Sequence, residues 1–98
     1  MITRIVKLTF KSEYVPQFLT NFETNKQIIK RFEGCQYLEL LRDSKETNVF
    51  FTYSKWINDD ALQAYRNSET FESIWRSVKP NFSERPLAWS LNSLTKLD

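Results

Sequence analysis

The sequence predicts an α+β fold in which one antiparallel sheet carries its helices on a single face. In residues 2–11 apolar side chains alternate with polar ones, which is the period of a strand, whereas in residues 12–32 they recur every three or four positions, which is the period of a helix. Similar stretches then follow in the order strand, strand, helix, strand. This βαββαβ order is typical of the ferredoxin-like plan. Because no linker or repeat interrupts it, we expect residues 1–98 to form one domain.

The first strand and the first helix are marked by their boundary residues as well as by their periods. One face of the strand is formed by Ile2, Arg4, Val6, Leu8 and Phe10. Ser12 can cap the helix that follows, and Pro16 lies near its first turn, where a missing N–H costs least. The helix then presents one apolar stripe, made of Val15, Phe18, Leu19, Phe22, Ile29 and Phe32. Gly34 is suited to the left-handed position that ends a helix.

The middle of the sequence predicts a hairpin followed by a broken helix. Residues 35–42 and 48–56 form two strands, and the polar segment between them, DSKETN, is typical of the turn that joins an antiparallel pair. Asn58 is a candidate cap for the next helical segment, and Ser68 is a candidate cap for a second piece of it. Pro80 should end that second piece.

Both faces of the predicted sheet carry apolar side chains. The last strand, residues 87–94, has Leu87, Trp89 and Leu91 on one face. The two faces of the third strand are formed by Val49, Phe51 and Tyr53 and by Phe50 and Trp56. Since the helices cover only one face of the sheet, the other must be covered in a different way. We expect a homodimer in which two sheets face each other.

The composition excludes several classes of function. The chain has no histidine, so it cannot form a Ser-His-Asp or Cys-His catalytic pair, a histidine metal cluster or a haem site with a proximal histidine. Its single glycine cannot supply a glycine-rich phosphate loop. The formal charge of +2, and a third strand without the basic residue and glycine of RNA-recognition modules, argue against nucleic-acid binding. We expect neither a cofactor nor a metal.

Further signals concern the compartment. Cys35 is the only cysteine, so no intrachain disulfide forms, and an inert buried thiol is the default expectation. The first ten residues lack the apolar core of a signal peptide, and no run of about 18 apolar residues indicates a membrane span. We therefore expect a cytoplasmic protein that does not bind membranes.

Two longer stretches, FEGCQYLELLRD and NVFFTYSKWINDDALQAYRNSETF, resemble the antibiotic biosynthesis monooxygenase (ABM) domain family. The resemblance extends over nearly the whole chain. It implies a dimeric α/β barrel with a pocket in each subunit between the sheet and the helices. It also implies either oxidation of quinol-like or polyketide aromatic compounds by O₂ without metal or flavin, or degradation of haem.

The haem-degrading branch of that family uses an Asn, a Trp and a His. By motif, those positions fall at Val6, Tyr65 and Trp75 of this sequence. All three differ, and a chain without histidine cannot supply the iron ligand of that chemistry. The resemblance therefore favours the cofactor-independent branch, in which a deprotonated substrate itself passes an electron to O₂.

That chemistry requires a pocket that binds and orients the substrate and stabilises its anion. We expect Val6, Tyr65, Phe71 and Trp75 to line this pocket, and Arg4, on the face of Val6, to offer a positive charge to the substrate anion. No catalytic residue can be named. A base would have to be a carboxylate or a tyrosinate with a shifted pKa, unless the substrate ionises unaided.

Other interpretations of the same residues stay open. Trp75 and Tyr65 can be ordinary core residues at helical spacing, and Arg4 can pair with a carboxylate near a sheet edge. The main alternative function is a non-catalytic homodimer that binds a small hydrophobic ligand in the same pocket. A third is a structural domain whose aromatic side chains fill the pocket completely.

Overall fold

The computed structural model describes residues 1–98 and contains four strands and three α-helices. In chain order they are β1 (Ile2–Thr9), α1 (Val15–Lys30), β2 (Cys35–Arg42), β3 (Val49–Trp56), α2 (Asp59–Arg66), α3 (Glu69–Val78) and β4 (Leu87–Leu91). The sheet order is β2-β3-β1-β4, and every neighbouring pair is antiparallel. This is the predicted ferredoxin-like α+β fold, with the last strand shorter than expected.

Strand register decides which side chains share a face of the sheet. On the central strand β1, Val6 lies opposite Thr52 of β3 and Ala88 of β4, and this side of the sheet faces the helices. Its neighbour Ile5 lies opposite Tyr53 and Trp89 on the other side. Since side chains alternate along a strand, the whole sheet divides into a helix-facing side and an outer face.

The outer face carries large apolar side chains with no cover. It is formed by Ile5, Tyr37, Leu41, Phe51, Tyr53, Trp89 and Leu91. On the edge strand β4 no residue is buried, and Trp89 is 43% exposed. None of the helices is both long and apolar enough to cross a membrane.

Nine of the twelve buried residues form two separate clusters between the sheet and the helices. The larger one contains Leu8, Phe10, Val15, Phe18, Phe50 and Val78, and the smaller one contains Cys35, Trp56 and Leu62. Phe10 and Phe18 have ring centroids 4.5 Å apart, and burial of each such ring stabilises the fold by about 1.5–3 kcal/mol. Ile29 and Ser54 are also buried but belong to neither cluster.

Two of the three predicted caps are present. The side chain of Asn58 accepts a hydrogen bond from the backbone N–H of Ala61 at 2.8 Å, and Ser68 accepts one from Phe71 at 3.1 Å. The prediction for Ser12 is wrong, because no side chain caps the start of α1. Ser12 instead begins a short 3₁₀ turn, residues 12–14, which leads into the helix through backbone geometry alone.

Gly34 ends the turn after α1 with a φ of +88°, as its left-handed role requires. It also lies close to the start of α2. A Cβ atom at this position would collide with the Cβ atom of Ala61 and come within 3.1 Å of Cγ2 of Ile57. Gly34 therefore sets both the turn and the close approach of α2.

Candidate functional site

A cavity of about 330 Å³ lies between the helix-facing side of the sheet and the helices. Of its 20 lining residues, 15 are hydrophobic, which makes it a pocket for an apolar ligand. The lining residues are Arg4, Val6, Leu8, Phe18, Phe22, Ile29, Leu38, Thr52, Ser54, Trp56, Leu62, Tyr65, Arg66, Phe71, Ile74, Trp75, Val78, Pro86, Leu87 and Ala88. All five residues expected to line a pocket (Arg4, Val6, Tyr65, Phe71 and Trp75) lie around it.

Three aromatic residues beside the hinge between α2 and α3 line this cavity: Tyr65, Phe71 and Trp75. Ser68 Oγ donates to the carbonyl oxygen of Tyr65 at 2.6 Å and accepts from the N–H of Phe71 at 3.1 Å. One hydroxyl thus joins the end of α2 to the start of α3. Trp75 lies four residues after Phe71 and so shares its face of α3, and the two rings are stacked with centroids 5.7 Å apart.

Tyr65 and Trp75 are both packing residues and cavity walls. The Tyr65 ring stacks on Trp56 at 5.0 Å and meets Phe71 edge-on at 5.2 Å. Trp75 contacts Phe71 and, at 5.6 Å, Phe82. The two interpretations of these residues therefore do not exclude each other. Each ring packs against other aromatic rings and also lines the cavity, so the pocket is not collapsed.

The Tyr65 hydroxyl is placed to act as a hydrogen-bond donor. It makes no hydrogen bond within the protein, and no unpaired polar side-chain atom is fully enclosed, so the hydroxyl reaches accessible space. Burial, with a smaller contribution from Cys35, raises the pKa of Tyr65 well above its ordinary value. The group is therefore a neutral phenol at neutral pH, and a tyrosinate base at this position is disfavoured.

Replacing Tyr65 with phenylalanine should reduce the loss of stability in alkali. Because the pKa is raised in the folded state, the neutral phenol contributes stability that is complete below about pH 10, the unfolded value, and falls as the pH rises further. The free energy of unfolding of the wild type should fall relative to Tyr65→Phe by about 1.4 kcal/mol per pH unit above pH 10. Urea unfolding at pH 8 to 11.5 measures the difference, and parallel curves would contradict a buried neutral Tyr65.

Arg4 contributes a positive charge to the cavity without an ion-pair partner. Its Nη1 donates to Ser90 Oγ at 2.9 Å, and neither salt bridge of the protein includes it, so the alternative in which Arg4 pairs with a carboxylate is not observed. Burial and the repulsion of the nearby Arg66 lower the pKa of Arg4, while Asp59 acts in the opposite direction. The guanidinium is still fully charged at neutral pH.

Arg66, Thr52 and Ser54 are polar lining residues that the sequence did not single out. Thr52 and Ser54 have the same strand parity as Trp56, so the alternation of β3 was a signal that could have found them. Arg66 offered no such signal, because a basic residue in the last turn of a helix is ordinarily a partner of the helix dipole. No acidic residue lines the cavity, and no group of three His, Cys, Asp or Glu side chains could hold a metal ion.

A shallower groove of about 420 Å³ runs along the outside of the hinge and α3. Only two of its eight lining residues are hydrophobic. It shares Arg66, Phe71 and Trp75 with the cavity, so these three residues separate the interior space from the surface.

The sequence model of the antibiotic biosynthesis monooxygenase family matches residues 1–76, more than three quarters of the chain. The chain belongs to this family. The match covers β1, the hinge and α3 as far as Arg76, and so includes the five predicted lining residues of this ABM protein.

Solved structures described as antibiotic biosynthesis monooxygenases share the fold of the ABM chain. The putative antibiotic biosynthesis monooxygenase from Nitrosomonas europaea has a TM-score of 0.88 and 16% identity, over 97% of this chain and 100% of that one. The putative antibiotic biosynthesis monooxygenase from Caulobacter crescentus also has a TM-score of 0.88, with 19% identity over 96% of this chain and 90% of that one. At these identities the likeness concerns the fold alone.

A curated relative from Haloquadratum walsbyi is 35% identical over 81 residues, which is 80% of this chain. It is named a putative heme-binding protein. The ABM chain spans 15% of the length of that relative.

Proposed function

We propose that this ABM protein is a cofactor-independent monooxygenase that oxidises a small aromatic or quinol-type substrate with O₂. The observation that carries the proposal is the chemistry of the cavity, which combines apolar walls with two guanidinium groups and one phenol donor and has no carboxylate. Such a lining suits an aromatic ring that reacts as an anion. Membership of the family supports the same class of reaction.

The tasks of the protein in this reaction are to bind, orient and stabilise. Phe71 and Trp75 would hold the flat substrate against their rings, and the Tyr65 hydroxyl would donate to one of its oxygens. Arg4 and Arg66 would favour the phenolate or enolate form, since a nearby positive charge lowers the pKa of an acid. The substrate anion, having lost its proton to solvent, then passes an electron to O₂, and the two radicals combine and take up a proton to give a hydroperoxide. Loss of water from the hydroperoxide leaves one oxygen atom in the product, and no base from the protein is needed.

The side chains do not fit a haem group bound through an axial ligand. The chain has no histidine, Cys35 does not line the cavity, and Met1 is 68% exposed at the terminus. Tyr65 is the one cavity residue that resembles a known haem ligand, and its raised pKa disfavours the phenolate that iron would need. The heme binding named for the Haloquadratum relative is therefore not proposed for this chain.

The alternative function is a non-catalytic homodimer that binds a small hydrophobic ligand in the same cavity. One observation favours it: no side chain in the lining can act as a general base at neutral pH. Under this alternative the ligand would bind to the same walls and leave unchanged.

Oxygen uptake separates the two functions. With a panel of quinols and dihydroxy-aromatic compounds, we expect the wild type to accelerate O₂ consumption, and Trp75→Ala to lower kcat/KM by about 10- to 100-fold because the substrate loses its flat wall. Ser73→Ala, an exposed change on the same helix, is the control and should leave the rate unchanged. Uptake no faster than without protein, together with saturable binding of the same compounds, would favour the binding function.

We further propose that the protein is a homodimer that buries the outer face of the sheet. Tyr37, Leu41, Trp89 and Leu91 on that face are each more than 40% exposed in the single chain. An exposed apolar patch of this kind is typical of a surface that a second copy covers. A cytoplasmic location stays a prediction.

A further inference from the structure

We propose that the cavity selects small organic acids, with the apolar body of the ligand inside and its carboxylate held between Arg4 and Arg66. This deepens the proposed function, since it rests on the same cavity being the ligand site. It applies whether the ligand reacts with O₂ or is only bound.

The first support is that both guanidinium groups have donors to spare. Arg4 uses one donor for Ser90 Oγ, and Arg66 Nη1 makes a 3.3 Å bond to Oε1 of Gln63. Neither takes part in a salt bridge. A guanidinium has five N–H donors in a planar fork that matches a carboxylate, so most donors of both groups are free for a ligand.

The second support is that the two like charges line one cavity, which no acidic residue lines. The repulsion of Arg66 contributes to the lowered pKa of Arg4. Asp59 is the carboxylate that opposes this effect, but it lies at the start of α2, where it accepts a hydrogen bond from Gln63, and it does not line the cavity. A ligand carboxylate would remove the repulsion, which an uncharged ligand cannot do.

The third support is that the cavity is apolar at its enclosed end and charged where it opens. Leu8 lies four residues beyond Arg4 on the same face of β1, and with Phe18 and Val78 of the larger buried cluster it lines the enclosed end of the cavity. Arg66 is exposed and also lines the surface groove, so it lies where the cavity opens. A bound acid would therefore place its apolar body against the buried side chains and its charged group at the opening, where desolvation of the carboxylate costs least.

The size of the cavity limits the body of the acid. Its 330 Å³ lies at the lower end of the roughly 300–1,000 Å³ found for small-molecule sites. One or two fused rings suit this space and the stacked pair of Phe71 and Trp75. An aromatic acid is thus a better match than a flexible aliphatic one, which loses more conformational freedom on binding.

Calorimetric titration with matched ligands tests the proposal. We expect 2-naphthoate to bind the wild type at least 10-fold more tightly than 2-naphthylmethanol, which has the same rings without the charge, and more tightly than octanoate. In Arg4→Gln/Arg66→Gln the affinity for the acid should fall by about 10- to 100-fold, because charge-assisted hydrogen bonds are lost. The affinity for the alcohol should stay the same. Arg31→Gln, an exposed change outside the cavity, should keep the preference for the acid.

Several results would overturn the proposal. They are equal affinity of the wild type for acid and alcohol, no binding of either, or a preference that survives in the double variant. If the double variant does not fold, the single change Arg66→Gln at an exposed position tests the same point and should lose part of the preference. Octanoate binding as tightly as 2-naphthoate would overturn the aromatic part of the proposal.

Failure of this inference and failure of the proposed oxygenase give different results. Oxidation of neutral quinols without any preference for acids would overturn the inference and leave the oxygenase proposal standing. Tight binding of 2-naphthoate that depends on the two arginines, without O₂ uptake for any substrate, would support the inference and contradict the oxygenase.

Discussion

Replacing Trp89 with lysine should convert the protein from a dimer into a monomer of about 11.8 kDa. Trp89 lies opposite Ile5 in the sheet and is 43% exposed on the outer face of the single chain. In the proposed dimer the ring lies between two sheets, and an ammonium group at its position would be buried without a partner. The cost of several kcal/mol for such a charge is a large part of the free energy of association.

Light scattering coupled to gel filtration at micromolar concentration measures this effect. The wild type should have twice the mass of the chain, and the control Ile28→Lys should keep that mass. Ile28 has a similar exposure, 48%, but lies on α1 and so away from the outer face. A wild type of 11.8 kDa, or a Trp89→Lys variant that remains dimeric, would contradict the dimer. Far-UV circular dichroism should confirm that the variant is folded, since β4 is an exposed edge strand.

Replacing Gly34 with alanine should destabilise the protein by about 2–5 kcal/mol. An L-residue in the left-handed region costs about 1–2 kcal/mol, and displacing packed neighbours adds about 1–3 kcal/mol. Both costs apply here, because Gly34 has a φ of +88° and a Cβ atom would collide with Ala61. Denaturant unfolding at neutral pH measures the loss.

Gly34→Asn separates the two costs. Asparagine tolerates the left-handed conformation better than alanine but brings the same Cβ atom. If the collision dominates, the two variants should be similarly unstable, and if the backbone conformation dominates, asparagine should recover about half of the loss. A change of less than about 0.5 kcal/mol in Gly34→Ala would contradict the crowding between this turn and α2.

The fold was predictable where local signals agreed with one another. The strand periods, the caps at Asn58 and Ser68 and the left-handed Gly34 are confirmed because each depends on a few neighbouring residues. Ser12 failed as a cap because its sequence context does not distinguish an α-helix from the 3₁₀ turn that precedes one. The end of the last strand was overestimated, because Leu94 was included although Asn92 and Ser93 break the alternation after Leu91, the last residue that pairs with β1.

The site was less predictable than the fold, because a cavity forms only where the packed helices and sheet leave space between them. The resemblance indicated Val6, Tyr65 and Trp75, and strand parity placed Arg4 beside Val6, so these positions followed from the sequence. The position of Arg66 could not be predicted in this way. Arg66 is on α2 and Arg4 is on β1, so whether the two side chains meet depends on how α2 packs on the sheet.

None of the polar side chains that line the cavity changes its charge near neutral pH. Arginine stays protonated, threonine and serine do not titrate, and the raised pKa of Tyr65 keeps it neutral. The chain also lacks histidine, the side chain that ordinarily changes charge between pH 5 and 8. Within that interval the cavity is therefore electrostatically constant. Any change in affinity or rate with pH there measures the acidity of the bound compound, so the protein can serve as a reporter of its ligand's own ionisation.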